Sequence, residues 1–144
     1  MFKLDVDDRL SSWADLRAQL ETCEDPFQTV TDFWYGAPYV PYNNQIDPFH
    51  QKAWPTPWEI ILHNKYDDFT KALMMAYSIK FTQRFNNSVV ELRTYIDKVK
   101  NAYYNIVCVD DLWAINYYDN AVIPVNLLPD SFLVENLIEV RAQR

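Results

Sequence analysis

The chain has 144 residues, 49% of them hydrophobic, and a formal net charge of −7. At this length the simplest organisation is a single domain, which buries about 70% of the surface that the unfolded chain would expose. The acidic balance opposes non-specific binding to nucleic acid or to an anionic membrane, because that affinity comes from Lys and Arg side chains that neutralise phosphates, and we expect neither as a direct partner. Gly36 is the only glycine, which excludes a P-loop, a Rossmann fingerprint and an α/β-hydrolase elbow, and we expect no cofactor.

The N-terminal third is predicted to be helical and then irregular. Apolar residues three and four positions apart predict an amphipathic helix over residues 8–22. Pro26 suits the first turn of a second helix, and Gly36 suits the C′ position just past its end, where a left-handed backbone favours glycine. Residues 37–53 have no hydrophobic period. An irregular segment of this length in a compact domain is usually functional or a docking surface.

Two helices are predicted in the middle of the chain. The sequence Thr56-Pro57-Trp58-Glu59 is a capping box and predicts a short helix over residues 58–63. Asp67 or Asp68 then caps a longer helix that continues to about Thr82. This longer helix is apolar on most faces, so we expect it to be packed on most faces and to lie at the centre of the domain.

The hydrophobic period changes to two after Asn86-Asn87, which indicates strands. Three strands are predicted, over residues 90–96, 103–109 and 112–118. A fourth candidate covers residues 121–127, where Pro124 would confine it to an edge or a bulge. Residues 131–140 fit a strand or a short helix equally well. With one glycine, tight turns of type I′ must use Asn and Asp, and we place them at Asn86-Asn87 and Asp110-Asp111.

These elements predict one α+β domain over residues 1–144. N-terminal helices and a central apolar helix pack on a small, mainly antiparallel sheet. Residues 1–57 form a helical and aromatic-loop part, and residues 58–144 form the helix-plus-sheet core.

The order of elements between Trp54 and Asp119 resembles the transglutaminase-like core of cysteine hydrolases. In that family a thiol at the first turn of the central helix is the nucleophile, and a His and an Asp come from the following strands. The positions that match the thiol are Tyr66 and Asp67, those that match the His are Ala102, Tyr103 and Tyr104, and Asp119 matches the Asp. The resemblance implies a hydrolase-like fold without nucleophile or base, so we expect no catalytic residues and no enzyme.

Aromatic residues are concentrated between positions 33 and 58. Tyr and Trp are over-represented at interface hot spots, because they combine a rigid apolar body with a polar tip. Alternatively, the aromatic side chains only attach the irregular segment to the domain. We predict that the partner-binding residues are Trp34, Tyr35, Tyr39, Tyr42 and Phe49. Trp54 and Trp58 are expected to be structural.

The sequence Trp54-Pro55-Thr56-Pro57-Trp58-Glu59 and the helix after it resemble small uncharacterised proteins of tailed bacteriophages. The resemblance implies a non-catalytic structural or assembly protein of the virion, at the neck, tail or baseplate, assembled in the host cytoplasm. Its partners would be other phage structural proteins, contacted by multiple copies of the chain.

Two alternative functions remain open. One is an acidic phage inhibitor of a host defence nuclease, which mimics nucleic acid and requires Asp and Glu side chains clustered on one face. The other is a cysteine hydrolase-like enzyme with an unrecognised site, in which Cys23 or Cys108 pairs with His50 or His63. Cys108 alternates with apolar residues and is predicted to be a small core residue. The acidic residues fit no metal-ligand spacing, so they are interpreted as caps and turns and no metal is expected.

Overall fold

The computed structural model describes residues 1–118 and 120–142. Within these residues it contains four α-helices and a five-stranded antiparallel sheet, which confirms the predicted α+β class. The helices are α1 (Val6–Leu20), α2 (Pro26–Tyr35), α3 (Pro57–His63) and α4 (Asp68–Lys80). The strands are β1 (Val90–Asp97), β2 (Ala102–Val109), β3 (Trp113–Ile115), β4 (Val122–Pro124) and β5 (Phe132–Glu139).

The sheet has the strand order β4-β3-β2-β1-β5, and every neighbouring pair is antiparallel. Strand β4, which contains Pro124, lies at one edge, where a missing backbone N–H is tolerated. The segment 131–140 forms the strand β5 at the other edge, which decides between the two predicted alternatives. The predicted third strand is too long: β3 ends at Ile115 because Asn116 turns into a left-handed conformation (φ 68°).

Helix α4 is the central helix, as predicted. It packs against α1, α2, β1 and β2. Every residue from Phe69 to Ile79 is buried except Lys71. The main core contains residues from all parts of the chain, from Trp13 in α1 to Val140 after β5. Burial of a helix on nearly all sides explains why its sequence has no wide polar stripe.

A buried hydroxyl joins the three longest helices. Ser78 in α4 accepts hydrogen bonds from the indole Nε1–H of Trp13 at 2.9 Å and of Trp34 at 3.0 Å. Its own hydroxyl donates to the carbonyl of Met74 at 2.7 Å. Trp13, Trp34 and Ser78 are each 0% exposed. Both indole donors are therefore satisfied in a region where an unpaired donor would be costly.

Asn and Asp occupy all the non-glycine positions with positive φ among the described residues: Asn64, Asn101, Asp110, Asp111, Asn116 and Asn120. The predicted turn at Asp110-Asp111 is confirmed, since both residues have positive φ (53° and 54°) and Leu112 N–H donates to Val109 O at 3.0 Å. At Asn86-Asn87 the predicted turn is present, but the predicted type I′ geometry is wrong. Neither residue has positive φ, and they lie in turns that follow α4.

Gly36 does not act as the predicted left-handed C′ residue. Its φ is −84°, which any residue adopts, and a Cβ added there would meet nothing within 4 Å. The end of α2 is better explained by Pro38, because a proline disfavours the helical conformation at the residue before it.

The substitution Ser78→Ala tests the buried hydroxyl. It leaves two indole donors without an acceptor in the core, so we expect the free energy of unfolding to fall by about 2–4 kcal/mol. The matched control is Ser11→Ala, an exposed serine in α1, where a change within about 0.5 kcal/mol is expected. Urea unfolding of both variants provides the measurement, and equal effects would contradict the role of Ser78.

Candidate functional site

The predicted docking residues fall into two groups. Trp34 is 0% exposed and donates its indole N–H to Ser78, so its assignment to a partner surface is wrong. Four aromatic side chains are exposed: Tyr35 (52%), Tyr39 (71%), Tyr42 (72%) and Phe49 (80%). We refer to residues 35–49 as the aromatic segment.

The aromatic segment is attached to the chain just before α4 by a short parallel β-bridge. Tyr39 pairs with Tyr66. Val40 N–H donates to Tyr66 O at 3.0 Å, and Tyr66 N–H donates to Pro38 O at 3.3 Å. The backbone is therefore held on both sides of Tyr39 while the ring of Tyr39 stays in solvent.

Asn43 provides a second attachment and is 4% exposed. Its backbone N–H donates to Asp67 Oδ2 at 3.0 Å, and its side-chain amide donates to Lys65 O at 3.2 Å. The other carboxylate oxygen of Asp67 caps α4 by accepting from Thr70 N–H at 2.7 Å. One carboxylate thus begins the central helix and fixes the aromatic segment. No sequence signal separates Asn43 from its exposed neighbour Asn44.

The far end of the segment is held by apolar packing and one indole. Ile46 is 2% exposed and belongs to the main core. The indole N–H of Trp54 donates to Asp47 O at 2.6 Å, and its ring meets Phe69 at 5.7 Å. Trp58 lies 5.6 Å from the ring of Trp13 and is 39% exposed. Both tryptophans pack against helices, as the sequence analysis expected.

The positions that match a hydrolase nucleophile are occupied by structural groups. Tyr66 is 1% exposed and its ring packs on Phe2 at 5.6 Å and Trp34 at 5.4 Å. Burial raises the pKa of its phenol, so the hydroxyl remains neutral. Asp67 is the helix cap. Asp119, the counterpart of the third residue, lies outside the described residues.

Four other polar side chains are connected by hydrogen bonds at the start of α4. Asp68 accepts a hydrogen bond from Asn105 Nδ2 at 3.0 Å and from Asn116 Nδ2 at 3.4 Å. Thr94 donates its hydroxyl to Asn105 Oδ1 at 2.9 Å. These groups connect the helix to β1, β2 and the end of β3. A polar residue inside an apolar strand is the sequence signal that could have identified Asn105.

The carboxylate of Asp68 is held by two side-chain amides. An Asn amide cannot act as a general base, and a carboxylate that accepts amide hydrogen bonds is held in place by them. The physical effect of this cluster is to orient α4 on the sheet. It brings no thiol or imidazole to the helix start.

The two cysteines are both free thiols, with Cys108 buried and Cys23 half-buried. Cys108 is 0% exposed and packs with Tyr95 and Ile106 on the sheet face away from α4, as predicted for a core residue. Burial raises the pKa of its thiol to about 11. Cys23 follows α1, and among the described residues no hydrogen bond joins either cysteine to His50 or His63.

Several carboxylates accept hydrogen bonds from backbone N–H groups at caps and turns. Asp5 caps α1, and Glu59 completes the capping box that begins α3. Glu21 accepts two backbone N–H groups after α4, and Asp110 accepts Val89 N–H. The described part of the chain holds no group of three His, Cys, Asp or Glu side chains placed to share a metal ion.

No protein-family model matches the chain, and no curated protein matches its sequence. Across residues 1–118 and 120–142, no helix is both long and apolar enough to cross a membrane.

Thiol labelling tests the state of Cys108. In a Cys23→Ser variant only Cys108 remains, and at about pH 8 its thiol stays protonated because burial raises its pKa, while burial also blocks access. We expect negligible reaction with iodoacetamide in the native protein. The same variant in urea is the control and should label completely. Rapid labelling of the native variant would show an activated thiol and contradict this structural role.

Proposed function

We propose that the chain is a non-catalytic structural or assembly protein of a tailed-bacteriophage virion, which docks to other virion proteins through the aromatic segment. The proposal is based on a contrast within residues 35–49 between an ordered backbone and exposed aromatic side chains. The backbone is fixed at Tyr39 and Asn43, whereas Tyr35, Tyr39, Tyr42 and Phe49 are at least half exposed.

Such a surface favours protein binding for an energetic reason. Association loses less conformational entropy when the anchoring backbone is already ordered. Exposed rigid aromatic side chains then supply most of the buried contact area and dominate interface energies. The other aromatic rings of the N-terminal part lie in the core, as Trp34 does, or pack against it, as Phe2 does. High exposure is therefore specific to these four aromatic side chains within that part.

The helix start supports a non-catalytic role. Asp67 is a cap, Asp68 is bound by Asn105 and Asn116, and Tyr66 is buried. A nucleophile is activated by an adjacent base or by a lowered pKa, whereas burial raises the pKa of Tyr66 and of Cys108. The carboxylates of Asp5, Glu59, Asp67 and Asp110 are used at caps and turns, which does not favour a nucleic-acid mimic.

The place of the chain in a particle can be measured directly. We expect purified virions of the virus that encodes it to contain the chain at a fixed number of copies, determined by quantitative mass spectrometry against the major capsid protein. Absence from the virions, together with absence from assembly intermediates, would overturn the proposal.

The exposed aromatic residues provide a sharper test. Replacing Tyr39, Tyr42 and Phe49 together by Ser should lower incorporation into virions by roughly tenfold or more, because interface aromatic residues are typical hot spots. The stability of the isolated protein should change little, since all three side chains are exposed.

A matched control replaces three exposed apolar residues elsewhere: Val99 (81%), Tyr103 (60%) and Leu112 (62%). This second triple variant should be incorporated normally. Equal loss in both variants, with both proteins folded by circular dichroism, would contradict docking through the aromatic segment.

A further inference from the structure

A cavity of about 530 Å³ lies between the start of α2, the loop that follows α4 and the hairpin of β3 and β4. Sites for small ligands typically measure about 300–1,000 Å³ and are lined mainly by apolar and aromatic side chains. Three aromatic side chains line this cavity: Phe27, Phe85 and Trp113. None of them belongs to the aromatic segment or to the polar cluster at the start of α4, so the cavity is a separate feature of the surface.

The aromatic rings give the cavity a wall that attracts cations. The ring centroids of Phe27 and Phe85 lie 5.3 Å apart, and both side chains pack against the main core, which holds them in place. Trp113 is 42% exposed, so part of its indole is open to a ligand. The face of an aromatic ring carries negative electrostatic potential and binds a cation placed over it, and Trp does so most strongly.

Two carboxylates add negative charge to the same cavity. Glu24 and Asp25 line it beside the start of α2, and both residues are exposed. The ion pairs among the described residues use other acids, namely Glu91, Asp111 and Glu139, so neither Glu24 nor Asp25 is neutralised by one. Asp25 also makes no side-chain cap bond to α2. Both carboxylates are therefore available to a charged group of a ligand.

Arg84 is the one basic side chain that lines the cavity among the described residues, and it is already bound within the protein. Its Nη1 donates to Leu20 O at 3.2 Å and to Cys23 O at 2.7 Å. Its Cζ lies 5.3 Å from the ring centroid of Phe85, so a wall of this cavity already holds one cation over an aromatic ring. The start of α2 adds a partial positive charge of about half a unit. The two carboxylates exceed these positive charges, and the cavity remains negative.

We propose that this cavity binds an organic ammonium group attached to an apolar body. The ammonium group lies against the indole face of Trp113 and faces the carboxylates of Glu24 and Asp25. The apolar body packs on Phe27 and Val122, which complete the wall. The site is distinct from the aromatic segment and does not depend on the proposed role in a virion.

The experiment follows the full, isotopically labelled chain by NMR with three probes of nearly equal shape. The probes are choline, its neutral carbon isostere tert-butylethanol, and ionised tert-butylacetic acid. We expect choline to shift the indole N–H resonance of Trp113 and the backbone amide resonance of Gln28 until they saturate. Choline should bind at least about fivefold more tightly than tert-butylethanol, the ratio expected from cation–π and charge contacts at an exposed site.

A fourth probe, the methylamide of Nα-acetyl-lysine, distinguishes the two sources of an ammonium group. If it binds more tightly than choline, the natural ligand is a lysine side chain of a partner protein. If choline binds more tightly, the natural ligand is a free ammonium compound. Either order, with saturation at the same resonances, supports the site.

Two variants test the groups that bind the cation. The double substitution Glu24→Gln and Asp25→Asn removes the charges with little change in shape and should weaken choline binding at least about threefold. Asp15→Asn with Asp130→Asn is the matched control, because it removes two exposed acids outside the cavity and should leave the affinity nearly unchanged. Trp113→Leu keeps an apolar side chain but removes the indole face, and a loss of about twofold to fivefold is expected.

Three results would overturn the proposal. The first is the absence of saturable shifts with both choline and the lysine derivative. The second is equal binding of choline and tert-butylethanol, or an equal loss in the two double variants, since either would show that charge is not recognised. The third is tighter binding of ionised tert-butylacetic acid than of choline, which would show that Arg84 makes the cavity an anion site.

Discussion

The structure depends most on the hydroxyl of Ser78, which both buried indoles of the helical layer share. Trp13 comes from α1 and Trp34 from α2, and each donates to this one oxygen in α4. Large aromatic side chains contribute much of the burial free energy, but a buried indole N–H must find an acceptor. A single small residue on the central helix meets both requirements. The positions of α1 and α2 relative to α4 follow from that geometry.

At the start of α4, two carboxylates also accept hydrogen bonds from segments that are distant in the chain. Asp67 caps the helix and holds Asn43, so the aromatic segment is ordered although it has no regular secondary structure. Asp68 binds Asn105 and Asn116, so the sheet is joined to the same helix turn. In a hydrolase of similar element order this position would carry the nucleophile. Here the charges at the helix start join the aromatic segment and the sheet to α4.

Local patterns identified most elements because their causes are local. The capping box at Thr56 and Glu59 is a contact between residues three positions apart, and it is present with both hydrogen bonds. The apolar composition of α4 is also a local property of the sequence, and it predicted the central position of this helix. The wrong predictions concern features that depend on contacts between residues distant in the chain. Tryptophan is a residue type common at interfaces, yet the indole N–H of Trp34 donates to Ser78, which lies 44 positions further along the chain. The length of β3 was overestimated because Asn116 bonds to Asp68 and Asn105.

The sequence by itself determined the α+β class, the central helix, the absence of glycine-dependent phosphate sites and the use of Asn and Asp in left-handed turns. Each of these follows from composition or from contacts within a few residues. Only the tertiary structure decided which aromatic side chains face solvent, which polar groups meet at the helix start and which strand has a free edge. Burial, shared acceptors and strand order involve residues far apart in the chain, and hydrophobic periodicity carries no information about those pairings.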